Sequence, residues 1–239
     1  MMMNKRSLGG DAAGGRGAPP RPARFLCLHG FRTSGEIMRQ QVTGKWPAEV
    51  TSRLHLVFPD APFPAQGASP VAGVFDPPYF EWCQFIGEDF LKFTNMDRCF
   101  SYIEELMARE GPFDGLLGFS QGACVSAVLA GLQQQGLALT EVANVRYVVI
   151  LAGAKVRSPP AATRAFAGKI KCPSLHFIGD KDFLKIQSEE LVEAFADPVV
   201  IRHPRGHTVP TLDGNSLEVL LSFLDQIENE TFEHSCANT

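Results

Sequence analysis

The chain has 239 residues, of which 45% are hydrophobic, and its 22 basic and 26 acidic side chains leave a formal charge of −4. That length and apolar content fit one sizeable core, and a near-neutral balance without a dense basic stripe gives no electrostatic case for binding nucleic acid. No apolar run approaches the roughly 20 residues that span a bilayer, and no Cys/His set has zinc spacing, so neither a membrane span nor a metal or other cofactor is expected.

Residues 1–23 are rich in Gly, Ala, Pro and Arg, with almost nothing large and apolar. Such a segment buries too little surface to offset its ordering entropy, so it reads as a disordered basic tail. A plastid transit peptide is the weaker alternative, since Ser is scarce and no amphipathic pattern is present; a secretory signal would need an apolar h-region. Cys27, Cys83, Cys99, Cys124, Cys172 and Cys236 form no C-x-x-C pair and read as reduced, mostly buried thiols. They point to the cytoplasm, with the nucleus as the alternative. The folded domain is expected over residues 24–229, followed by a flexible polar tail over 230–239.

From Arg24 onward, short apolar runs alternate with helical spacing. The runs Phe25–Leu28, Leu54–Phe58, Gly115–Phe119, Val145–Ala152, Ser174–Ile178 and Val199–Arg202 read as buried strands. Met96–Arg109, Gln121–Leu132, Ser188–Ala196 and Ser216–Ile227 read as helices. Continuous apolar strands between helices predict a mostly parallel six-stranded sheet covered on both faces. Pro59–Phe93 breaks the alternation with six prolines and eight aromatics. Prolines block regular ladders, and the aromatics argue for order, which leaves two readings: the wall of a pocket, or a loop packed on the core.

Gly118-Phe119-Ser120-Gln121-Gly122 matches G-x-S-x-G, with an apolar strand running in and an Ala-rich helix running out. That context makes the turn a nucleophile elbow with Ser120 at its tip. A serine hydroxyl needs a base, and the base an orienting acid, in the chain order Ser, acid, His for this fold. His207, in the loop between the last strand and the last helix, is preferred as base over His203. Asp182, a few residues past the strand Ser174–Ile178, is preferred as acid over Asp180. The backbone N–H groups of Phe31 and Gln121 are the expected oxyanion donors, and His29 is expected to hold the first loop by hydrogen bonding rather than act as a base.

Leu28-His29-Gly30-Phe31, the stretch from Pro112 through Gly122, Trp82, and His203-Pro204-Arg205-Gly206-His207-Thr208-Val209-Pro210 together resemble the FSH-type small eukaryotic serine hydrolases, from Arg24 to about Ile227. Where many members have a short run ending in Val-Pro after the acid, this chain has Phe183-Leu184-Lys185, which looks like a plant-type branch. The resemblance implies an α/β-hydrolase fold without a large cap domain, and a serine esterase acting without metal on carboxylic esters or thioesters of medium to long acyl chains. Trp82, Phe80, Tyr79 and Phe85 are the expected substrate-binding aromatics. Two alternatives stand beside that reading: an acyl-CoA or carrier thioesterase, and a hydrolase-fold binding protein with little turnover. Nothing in the sequence marks an oligomeric state.

Overall fold

The computed structural model describes residues 21–86, 89–157 and 161–237. In chain order the first half comprises β1 (Ala23–Leu28), α1 (Gly35–Thr43), α2 (Ala48–Thr51), β2 (Leu54–Val57), β3 (Phe63–Pro64), β4 (Phe80–Glu81), β5 (Gln84–Ile86), β6 (Asp89–Thr94) and α3 (Met96–Glu110). The second half comprises β7 (Gly115–Phe119), α4 (Gln121–Gln133), β8 (Tyr147–Leu151), α5 (Ala161–Ala165), β9 (Ser174–Gly179), α6 (Lys185–Val192), β10 (Pro198–His203) and α7 (Gly214–Ala237).

Six strands form one sheet in the order β10-β9-β8-β7-β1-β2, with every neighbouring pair parallel. Alternation within each strand divides two cores. Leu26, Leu28, Leu116, Val148 and Ile150 pack with α3, α4 and α5 on one face. Phe25, Cys27, Leu117, Phe119, Tyr147, Val149 and Leu151 pack with α1 and α7 on the other. Both faces are thus covered, which is why these strands read as unbroken apolar runs. The chain goes from β1 outward to β2 and then returns to lay β7 on the other side of β1. That reversal is a topological switch point, where a crevice opens at the carboxyl ends of parallel strands.

Several segments differ from the sequence-based expectation, among them α1, α2 and α5, which it did not mark as helices. The two antiparallel hairpins β3–β4 and β5–β6 fall inside the proline-rich excursion, where ladders only a few residues long need few backbone donors. α6 begins three residues earlier than predicted because the Asp182 carboxylate accepts the Leu184 N–H at 2.8 Å and nucleates the turn. α7 runs on from Ile227 to Ala237, through most of the expected tail, since neither Gly nor Pro interrupts 215–237. The first 20 residues of the expected N-terminal tail lie outside the described residues. Its last three do not form a tail: Arg21 pairs with Asp114 at 2.7 Å and Ala23 opens β1. No helix among the described residues is long and apolar enough to cross a membrane.

Candidate active site

β7 delivers the chain to Ser120, and α4 takes it away at Gln121. The tightness of this turn forces Ser120 to φ 53° and ψ −114°, a backbone conformation that L residues seldom adopt and that projects the hydroxyl above the sheet edge. The flanking glycines are sterically required. A Cβ on Gly122 would sit 2.0 Å from the Leu28 carbonyl oxygen, and one on Gly118 would sit 2.5 Å from the Ala123 nitrogen. The Ser120 N–H is held by the Leu151 carbonyl at 2.9 Å, so the strained residue is fastened to the neighbouring strand.

Asp182 follows β9 and His207 follows β10, and the parallel register of these strands brings both to Ser120. His207 Nε2 lies 2.8 Å from Ser120 Oγ, while Nδ1 lies 2.9 and 3.0 Å from the two Asp182 oxygens. A carboxylate accepts only, so Nδ1 carries the proton and Nε2 is free to accept from the serine hydroxyl. The competing residues are elsewhere. Asp180 is exposed and pairs with Lys185 at 3.1 Å. His203 is buried beside the end of β9, with neither ring nitrogen bonded to protein among the described residues.

The loop after β1 is braced from below. Ala61 N–H donates to His29 Nε2 at 3.1 Å, which leaves the Nδ1–H to donate to the Gly30 carbonyl at 2.8 Å. Burial pushes this imidazole down to about 4, so it stays neutral and structural. The Trp82 indole N–H donates to the His29 carbonyl at 2.9 Å. The Gln121 side chain closes the brace: its Oε1 accepts from Trp82 N–H and its Nε2 donates to the Cys83 carbonyl, both at 2.8 Å. The backbone N–H groups of Phe31 and Gln121 have no protein acceptor among the described residues. Arg32 is bound to Glu81 at 2.7 Å and to the Ala68 carbonyl at 3.1 Å, fixing the excursion to the β1 loop.

A cavity of about 550 Å³ opens over Ser120 and His207. Its walls are largely apolar: Phe31, Phe85, Phe93 and Phe119, with Pro70 and Val71 of the excursion and Phe183 at its rim. Of the four aromatics expected to bind substrate, Phe85 lines it and makes an edge contact with Phe31 at 4.7 Å. The other three do not. Trp82 is 0% exposed in the core, Phe80 pairs with Thr33 through its backbone, and the Tyr79 hydroxyl donates to the Phe75 carbonyl. The excursion therefore contains both expected behaviours, a pocket wall at 68–71 and Phe85, and core at Trp82. Two liners unrecognised in the sequence carried local signals: Phe119 precedes the nucleophile, and Phe183 follows the acid and packs 4.6 Å from the His207 ring. Cys124 also lines the cavity, but burial pushes its thiol up to about 11, so it is no rival nucleophile.

A family model described as serine hydrolase (FSH1) matches residues 20–219. Over 220 residues the chain is 33% identical to the Rhodanese-like domain-containing protein 6 of Arabidopsis thaliana, a match covering 80% of this chain and 37% of that one, so it spans little more than a third of that relative. Over 221 residues it is 32% identical to Esterase OVCA2 of Bos taurus, covering 85% of this chain and 96% of that one. Among solved structures, the acyl-protein thioesterase 2 of Zea mays superposes with a TM-score of 0.59 at 19% identity, over 87% of this chain and 95% of that one, a likeness of α/β-hydrolase fold.

Proposed function

We propose that this chain, a carboxylic ester hydrolase that belongs to the serine hydrolase (FSH1) family, works through an acyl-serine on Ser120, with His207 as base and Asp182 as its orienting acid. What carries the reading is the unbroken run of hydrogen bonds from Asp182 through His207 to Ser120, ending in an apolar cavity of small-molecule size.

Ser120 Oγ attacks the acyl carbonyl as His207 Nε2 takes its proton. The two backbone N–H groups, on Phe31 in the β1 loop and Gln121 at the start of α4, receive the oxyanion in a site that needs no reorganisation to supply them. Asp182 holds the Nδ1–H tautomer and stabilises the imidazolium. Collapse of the tetrahedral adduct breaks the acyl–oxygen or acyl–sulfur bond, and His207 gives its proton to the leaving alcohol or thiol. Water, deprotonated by the same imidazole, then releases the acid and restores Ser120.

The acyl chain lies along Phe31, Phe85 and Phe93, and medium to long chains are the preferred substrates, because each methylene buried there contributes about 0.8 kcal/mol. The free thiols of Cys27, Cys83, Cys99 and Cys124, all buried, fit a protein of the reducing cytoplasm. The test pairs a fluorophosphonate label with a chain-length series of p-nitrophenyl esters. Label on Ser120 that is lost in Ser120→Ala, with kcat/KM rising from acetyl to octanoyl, is the expected result. Labelling that survives Ser120→Ala, or a preference for acetyl, overturns it.

A further inference from the structure

The cavity straddles the end of the sheet, so its two sides come from opposite layers of the fold. On one side, Phe93, Cys124 and Ala154 belong to the core packed with α3, α4 and α5, and Phe85 and Leu184 pack against that core. Across Ser120 the wall comes from the other layer. Phe119 belongs to the core packed with α1 and α7, Gln41 is on α1, and Thr208 precedes Val209 of that same core. The first side presents hydrocarbon and sulfur, whereas the second also presents an amide and a hydroxyl. Among the described residues no Asp, Glu, Lys or Arg lines the cavity.

Gln41 stands where α1 would ordinarily carry an apolar residue. Ile37 and Met38 are buried, and residues three and four positions apart share a helix face, so Gln41 continues their stripe toward the cavity it lines. It is half-buried, and its amide has no hydrogen-bond partner among the described residues. Lys45, just past the end of α1, donates from Nζ to Thr208 Oγ1 at 2.7 Å, which sets Thr208 beside that end of the helix. Thr208 Oγ1 donates in turn to the Val209 carbonyl at 3.2 Å, so toward the cavity it can only accept. Gln41 can both donate and accept. A hydroxyl suits the pair: its proton goes to Thr208 Oγ1 or Gln41 Oε1, and its oxygen accepts from Gln41 Nε2. A charged group there would lose hydration without a counter-charge among the described liners.

Resting on the acyl-serine reading, we propose that the α1 side of the cavity binds the alcohol, through Gln41 and Thr208, and that the preferred substrates are esters of neutral alcohols bearing further hydroxyls, the polyol class. The direction follows from the carbonyl carbon at Ser120. Its oxygen turns to the Phe31 and Gln121 N–H groups, and its acyl chain takes the apolar side along Phe85 and Phe93. The alcohol is left with the side of Gln41 and Thr208. When the acyl–oxygen bond breaks, the alkoxide oxygen takes the proton from His207 Nε2, the acyl group stays on Ser120, and the neutral polyol departs along that wall. Gln41 is the specificity-determining residue.

The test compares 1-hexanoylglycerol with 2-methylbutyl hexanoate, in which methyl groups replace both glycerol hydroxyls. Each kcat/KM is corrected for the ester's own rate with hydroxide. The full chain is expected to favour the glyceryl ester roughly three- to tenfold, the effect of about one net hydrogen bond. Gln41→Leu keeps the bulk and removes the amide, and should bring that ratio to one or below. Gln41→Ala, which also lacks the amide and suits a helix, takes its place if the leucine variant does not fold. A corrected ratio at or below one in the unaltered chain overturns the inference, and so does a ratio above one that loss of the amide does not move. Turnover of both esters at a ratio of one would remove the polyol site and leave the hydrolase intact, as would cleavage of p-nitrophenyl hexanoate without cleavage of the glyceryl ester. Cleavage of no ester, with Ser120 unlabelled by fluorophosphonate, would remove both.

Discussion

Replacing Trp82 with Phe separates core from pocket. The indole is 0% exposed, its N–H donates to the His29 carbonyl at 2.9 Å, and its ring lies 5.1 Å from His29 and 6.5 Å from Tyr102. Phe removes the donor and leaves a buried carbonyl unpaired, which costs about 1–3 kcal/mol. The lost ring volume adds roughly 1 kcal/mol, well below the 3–5 of a full truncation to Ala. A total of about 2–4 kcal/mol corresponds to a drop in Tm of roughly 4–16 °C for a domain of this size. His29 also sets the loop that presents the Phe31 N–H, so kcat should fall by the same factor for acetyl, butyryl, hexanoyl and octanoyl esters. Thermal unfolding followed by circular dichroism, together with kcat/KM across that series, reads both effects. An unchanged Tm with a flattened dependence on chain length would refute the assignment and return Trp82 to the acyl pocket.

Phe85→Ala is expected to do the reverse: it widens the cavity wall, so the gain per methylene, about two- to fourfold in kcat/KM, should shrink while acetyl turnover changes little; a uniform loss across the series would count against it. Asp182→Asn should lower kcat on the order of 10⁴-fold by misaligning the His207 tautomer, whereas Asp180→Asn, exposed and bonded only to Lys185, should be nearly silent; the opposite ranking in steady-state assays would exchange the two roles. Ser120→Ala should lower kcat by roughly 10³–10⁶, measured against a chemical blank. Stability should also fall in acid. His29 and His176 are held neutral by burial, at about 4 and about 3, against about 6.5 unfolded. The unfolded chain therefore binds more protons below pH 6.5, so stability is full above that value and is lost as pH falls through 4 toward 3. A urea midpoint unchanged between pH 7.5 and 4.5 would contradict this.

The sheet was legible because each strand is buried on both faces and carries its signal locally, as Gly115–Phe119 and Ser174–Gly179 do. The elbow was legible for a related reason: its strand, glycines and helix are contiguous. Asp182 and His207 could be chosen by chain order and loop position, since the connections after β9 and β10 are short and hang over the same edge. The aromatic excursion was not legible at this level. Whether Trp82 or Phe85 faces the cavity depends on the turn between β4 and β5, and Gln121, 39 residues from Trp82, holds that turn. Periodicity over two- and three-residue strands carries no such information. The length of α7 was missed for the opposite reason: residues 228–237 are polar, so no apolar stripe announces a helix that nothing interrupts.

Gln121 shows how the excursion and the elbow form one object. Its backbone N–H sits at the start of α4, without an acceptor among the described residues, while its side chain reaches across to Trp82 and Cys83. Trp82 in turn holds His29, two residues before Phe31. On the proposed reading the two oxyanion donors are therefore coupled through a single closed circuit: Gln121 side chain, Trp82, the β1 loop, and back across the oxyanion. A hydrogen-bond donor stabilises a developing charge only if it is already in place when the charge appears, and small misplacement is costly. The circuit supplies that placement through side chains whose hydrogen bonds go to protein groups. It also explains why a polar glutamine is 2% exposed behind a nucleophile, where an apolar residue would fill the space equally well. Gln121→Leu keeps the volume and the backbone N–H but opens the circuit. It should lower kcat for every ester alike while leaving fluorophosphonate labelling of Ser120 detectable. If kcat were unchanged, the two donors would be independent and the brace merely structural.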